Sequence, residues 1–155
     1  MNSPRRIASF SVNHDFIDEG IYVSRIDGDI VTYDLRTRKP NSGDYMDNLT
    51  MHSVEHLFAT YARNSALADH VIYFGPMGCQ TGFYLLMRQT TKEVAAQFIL
   101  DTLRLCANHE GEMFGASRKE CGNYQNLDTA KAKAECAAYL AYLEANGCAF
   151  DYPMA

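Results

Sequence analysis

The sequence predicts an α+β domain in which a mainly antiparallel sheet packs against about three substantial helices. Short runs of β-branched and aromatic residues mark the strands, and apolar stripes at spacings of three and four mark the helices. Their order is strand, hairpin, helix, strand, strand, helix, helix, which fits a layered α+β architecture better than a repeating parallel winding. With 155 residues, 47% of them hydrophobic, residues 1–155 are expected to form a single domain with one core.

Residues 7–12 read as a strand. Residues 21–36 read as a hairpin, because Asp27-Gly28 separates two runs rich in Val, Ile, Tyr and Thr and Asp-Gly favours a type I′ turn. Pro40, Asn41, Ser42, Gly43 and Asp44 make residues 39–47 a loop. A helix is expected over 50–65, with Met51, Val54, Leu57, Phe58 and Tyr61 on its apolar stripe. Residues 71–74 and 83–87 are strands bracketing the glycine-punctuated turn GPMGCQTG. Thr90 and Glu93 form a capping box for a helix reaching about Ala107. The polar segment 109–124 is a loop carrying Cys121. The last helix starts near Asp128 and stops before Gly147, a helix-ending residue.

The formal charge of −5 and the shortness of the two basic runs, Arg5-Arg6 and residues 36–39, argue against a nucleic-acid footprint. No segment has the roughly 18 apolar residues of a membrane span, and the opening MNSPRRIASF lacks a secretory core, so a cytoplasmic protein with no membrane partner is expected. Five cysteines in a reducing compartment serve packing, metal ligation or catalysis. Cys106 and Cys136 fall among Leu and Ala in expected helices, and Cys148 follows Gly147. All three read as packing. His70 and His109 have no evident partner and read as surface or capping groups.

His52-Ser53-Val54-Glu55-His56 has the H-x-x-E-H spacing of an inverted zincin motif. Four helical residues turn about 400° and rise about 6 Å, so both imidazoles share a face and can converge on one ion. A third ligand must come from elsewhere, and a vacant fourth position makes such a site catalytic. The plainer alternative is a half-exposed helix face that happens to carry these groups. Cys79 and Cys121 both stand in glycine-flanked polar turns that a core cysteine does not need, and this favours a site.

HSVEH at residues 52–56, GPMGCQTGFY at 75–84 and ECGNY at 120–124, in that order and at those separations, resemble the signature of the S-ribosylhomocysteine lyase (LuxS) family. The likeness runs from Ser9-Phe10 and His14 through Tyr33-Asp34-Leu35-Arg36 to the helix after Leu127-Asp128. The resemblance implies His52, His56 and Cys121 as metal ligands, Cys79 and Glu55 as the acid/base pair, and Ser9, His14 and Arg36 as substrate contacts. It implies one ferrous ion per chain, with Zn²⁺ or Co²⁺ as substitutes. The small-molecule substrate would be S-ribosylhomocysteine, cleaved by carbonyl migration and β-elimination to homocysteine and 4,5-dihydroxy-2,3-pentanedione, the autoinducer-2 precursor. A homodimer with its active site at the interface is implied as well. Imidazole and thiolate suit several divalent metals, and the affinity order lets zinc or copper displace iron.

Two departures from the family pattern stand out. Tyr73 replaces an acidic residue common six positions before the cysteine, which bears on amino-group recognition, and Asn13 replaces an Asp before the amino-terminal histidine. Two other classes remain open: an inverted-zincin metallopeptidase, with Glu55 as base for a metal-bound water, and a non-enzymatic metal-binding module whose fourth position is filled by protein.

Overall fold

A computed structural model describes residues 4, 5 and 7–153. Among them, four strands form one antiparallel sheet in the order β1-β2-β4-β3, with β1 Gly20–Asp27, β2 Ile30–Arg36, β3 Val71–Pro76 and β4 Gly82–Arg88. The helices are the one-turn α1 Ala8–Ser11, then α2 Asn48–Arg63, α3 Lys92–Ala107 and α4 Thr129–Asn146. This is the expected α+β class, with three long helices on a sheet.

Alternation along the strands divides the sheet into two faces. Tyr33 and Leu35 of β2 and Phe83, Leu85 and Met87 of β4 enter the core with Ile21 and Phe74, where α2 and α3 deliver Val54, Leu57, Phe58, Phe98 and Ile99. Each such buried side chain contributes about 1.5–3 kcal/mol of transfer free energy. Phe58 of α2 stacks on Phe74 at 4.2 Å, and Phe74 stacks on Phe83 at 5.0 Å. That column pins α2, and with it His52 and His56, to the sheet. The other face carries Ser24, Thr32, Tyr73, Tyr84 and Leu86 around an apolar hollow of about 260 Å³ that Ile7 and Arg25 also line.

Several local expectations shift. Residues 7–12 do not form a strand: Ala8–Ser11 is a helical turn closed by Phe10 N–H and Ser11 Oγ donating to Ile7 O at 3.0 and 3.3 Å. The outer edge of β1 has another partner, because Val23 N donates to Phe150 O at 2.7 Å and Phe150 N to Ile21 O at 3.0 Å. The hairpin turn sits one residue further along than expected. Asp27 pairs with Ile30, so Gly28-Asp29 forms the loop, and only Gly28 has positive φ, +62°. A glycine at the first turn position is the type II′ pattern, not I′.

Helix starts are set by side-chain caps. Asp47 Oδ1 accepts from Thr50 N at 2.7 Å, so α2 begins two residues before the expected Thr50. Thr91, not Thr90, caps α3 by accepting from Val94 N at 3.2 Å. Asp128 Oδ1 accepts from Lys131 N at 3.1 Å and starts α4, while Asp128 N donates to Ser53 Oγ of α2 at 2.7 Å. This last bond fixes the end of the Cys121 loop against the helix that carries the histidines.

Candidate metal centre

His52 and His56 project from α2 with ring centroids 4.7 Å apart, as their spacing requires. Each ring is oriented by a backbone carbonyl: His52 Nδ1 lies 2.7 Å from Asn126 O, and His56 Nδ1 lies 2.8 Å from Phe114 O. A carbonyl only accepts, so each Nδ1 carries the proton and each Nε2 presents a lone pair. Cys121, from the loop between α3 and α4, completes the group. The ligand atoms of His52, His56 and Cys121 all lie within 4.8 Å of one another, and Cys121 Sγ stands 3.4 Å from His52 Nε2.

The donor set fits a divalent cation. Bonds of about 2.3 Å to sulfur and about 2.0–2.1 Å to nitrogen at a tetrahedral angle place S and N roughly 3.5 Å apart. Asn123 N donates to Cys121 Sγ at 3.4 Å, a contact that suits a thiolate. Beside the triad, a cavity of about 250 Å³ is lined by Asn48, Met51, His52, Glu55, Pro76, Asn123 and Asn126. Glu55 therefore borders open space next to the ligands. The third converging group is a cysteine sulfur, whereas the metallopeptidase alternative expects a carboxylate.

Cys79 lies in the turn between β3 and β4 that follows Pro76, and its thiol is exposed and unpaired. Its sulfur is 3.0 Å from Thr81 Oγ1, and Arg36 Nη1 lies 3.9 Å away while donating to Thr81 Oγ1 at 2.8 Å. Among the described residues, no hydrogen bond or ion pair joins this cluster to the triad. Arg36 is no loose surface charge: it is 3% exposed and bidentate on Asp34, at 2.6 and 3.1 Å. Burial pulls the Arg36 pKa down, but the Asp34 carboxylate outweighs this and the net shift is upward. Tyr152 Oη also donates to Asp34 Oδ2 at 2.7 Å.

His14 opens a short 3-10 turn, with Nδ1 2.9 Å from Val12 O. Ser9 is on α1, but its side chain lies outside the described residues. Among the described residues, no hydrogen bond brings His14 to the triad. Asn13 accepts from Asp15 N at 3.0 Å and caps the His14 turn, as an Asp side chain also can at a helix start. Tyr73 is 51% exposed with its ring over Gly75, where a Cβ would collide with it.

Sequence reasoning missed Asp34 and Thr81, each two residues from a singled-out residue in an extended or turn segment, where a spacing of two puts side chains on one side. It also missed the carbonyls of Phe114 and Asn126, which no side-chain pattern advertises. His109 is 3% exposed, not a surface group.

The sequence profile of the S-ribosylhomocysteinase (LuxS) family matches residues 7–147. An S-ribosylhomocysteine lyase of Phocaeicola vulgatus is 44% identical over 88% of this chain and 88% of its own length. One from Finegoldia magna is 44% identical over 87% and 89%, and one from Clostridium beijerinckii is 45% identical over 83% and 84%. With two imidazoles and a cysteine sulfur converging and likeness extending over most of its length, this chain belongs to the S-ribosylhomocysteine lyase (LuxS) family.

Proposed function

We propose that this chain is a metal-dependent carbon–sulfur lyase that converts S-ribosylhomocysteine to homocysteine and 4,5-dihydroxy-2,3-pentanedione. The observation that carries this reading is the convergence of two imidazoles and the Cys121 sulfur beside a cavity, with a second thiol, Cys79, outside that group. A structural site needs no spare thiol. A divalent cation held by His52, His56 and Cys121, Fe²⁺ by preference with Zn²⁺ or Co²⁺ as substitutes, supplies Lewis-acid stabilisation of oxyanion charge.

The thioether carbon of the substrate is too far from its carbonyl to eliminate directly. Proton transfers between neighbouring carbons and oxygens move the carbonyl along the ribose chain until sulfur lies β to it, and homocysteine thiolate then leaves. Cys79 and Glu55 carry these protons. The Arg36 guanidinium, buried on Asp34, offers an opposite charge to a thiolate at Cys79, while Thr81 shares a hydrogen bond with the sulfur. Ser9, His14 and Arg36 are assigned to substrate positioning.

The active unit is assigned as a homodimer with its sites at the interface. Among the described residues no long helix covers the sheet face with Tyr73, Tyr84 and Leu86, and Ile7, which lines its hollow, is exposed. A second copy against that face would border the Arg36–Cys79 cluster. No helix among the described residues is long and apolar enough to cross a membrane, and five free thiols suit the reducing cytoplasm.

The direct test incubates the anaerobic, iron-loaded protein with S-ribosylhomocysteine and follows free thiol with a colour reagent, alongside sedimentation of the same sample. Metal-dependent homocysteine release from a species of dimer mass is expected. Absence of release from fully loaded protein refutes the activity, and release by a monomer refutes the dimer.

A further inference from the structure

We propose that His109 and Tyr61 are positioning residues of the metal centre, acting on the ligand His56 through the Phe114 carbonyl. This inference rests on reading His52, His56 and Cys121 as the metal ligands.

His109 is buried just beyond the end of α3, and both its ring nitrogens are engaged. Nε2 lies 2.9 Å from Glu112 O. Because a carbonyl only accepts, Nε2 carries the proton, and in the neutral imidazole Nδ1 is left as an acceptor. The Tyr61 hydroxyl, 2.7 Å from Nδ1, is therefore the donor. The imidazole thus fastens the segment 109–112 to a side chain of α2, the helix that carries His56.

The same segment then returns to the site. The Phe114 ring packs edge-on against Tyr61 at 5.2 Å and His109 at 4.8 Å, and its carbonyl accepts the His56 Nδ1 proton at 2.8 Å. A closed circuit results: α2, Tyr61, His109, the loop, Phe114, and His56 of α2 again. Gly115, at φ +64°, lets the backbone pass so close that a Cβ there would stand 3.2 Å from His56 Nδ1. The other imidazole has a matching arrangement, because Asn126, whose carbonyl orients His52, donates from Nδ2 to Asn48 Oδ1 of α2 at 2.7 Å. Each ligand ring is therefore oriented by a carbonyl whose loop a side chain ties back to the ligand helix.

The carbonyl of Phe114 cannot be mutated away, but the groups that hold it can. Outer partners of metal-ligating histidines are typically worth about 10–100-fold in metal affinity. The test titrates Co²⁺ into metal-free protein against a competing chelator and records the cobalt absorption spectrum, for wild type, His109→Ala, His109→Gln and Tyr61→Phe. Binding is expected to stay at one ion per chain in all four. His109→Ala should weaken it about 10–100-fold with a displaced spectrum, and Tyr61→Phe, which removes one oxygen atom, should weaken it less. His109→Gln, with a donor and an acceptor on one planar group, should recover part of the loss.

A general loss of stability would lower the melting temperature of the metal-free protein without displacing the spectrum of the fraction that binds. Should His109→Ala fail to fold, Tyr61→Phe decides: wild-type affinity and spectrum in that variant overturn the inference. Wild-type affinity and spectrum in a folded His109→Ala overturn it equally. Failure of the wild-type chain to bind Co²⁺ through Cys121 overturns instead the metal-centre reading on which it rests.

Discussion

Cys121 and Cys79 are both polar-turn cysteines beside glycines, yet they meet different neighbours. Cys121 Sγ faces an imidazole lone pair and a backbone N–H, whereas Cys79 faces a hydroxyl and a guanidinium. The first set suits ligation and the second suits proton transfer, so the two thiols should separate cleanly in experiment. Cys79→Ala is expected to lower homocysteine release by three orders of magnitude or so, in the range for losing an acid/base group. Elemental analysis of the same variant should still find about one metal per chain; a variant stripped of metal makes Cys79 a ligand. The H-x-x-E-H pair was legible because helical periodicity alone converges its rings. The carbonyls and the His109–Tyr61 brace were not, because they depend on where a loop distant in sequence comes to rest.

At the level of elements, the long helices and both hairpins follow from periodicity and turn chemistry, with boundaries moved by Asp47 and Thr91 as caps. Residues 7–12 misled because Ala8, Phe10 and Val12 alternate with Ser9 and Ser11, and alternation does not reveal whether a free sheet edge exists. Phe150 occupies part of that edge, in a segment after α4 that lies beyond the family match. There Tyr152 stacks on Tyr22 at 4.9 Å. Burial, and then the Asp18 charge, push the Tyr22 pKa up to about 12. Burial and the Asp34 carboxylate push Tyr152 up as well.

For both tyrosines the folded state holds the proton more tightly than the unfolded chain does. Their contribution is complete below about pH 10, the unfolded value, and is lost as pH rises from there through the folded value. The melting temperature should thus fall above about pH 10, less steeply in Tyr152→Phe, whose missing hydroxyl no longer titrates. Equal slopes for the two proteins would show that this segment does not govern the alkaline limb.

Across the whole molecule, the fold class was legible from element order, but the strand order β1-β2-β4-β3 was not. Nothing in local sequence tells β4 to lie between β2 and β3; that pairing comes from two hairpins joined side by side over a shared core. The result leaves one sheet face on the helices and the other bearing Tyr73, Tyr84, Leu86 and the covered Asp34–Arg36 pair. The triad stands with the helix layer, whereas Asp34 and Arg36, on the opposite face, border the turn that carries Cys79.

Cobalt substitution tests the metal centre most directly, since a thiolate bound to Co²⁺ gives an intense near-ultraviolet charge-transfer absorption. One equivalent of Co²⁺ should produce that band in the wild-type chain and in Cys79→Ala, and it should vanish in Cys121→Ala. A band that survives in Cys121→Ala, or disappears in Cys79→Ala, would contradict the assignment of His52, His56 and Cys121 as the metal-binding group.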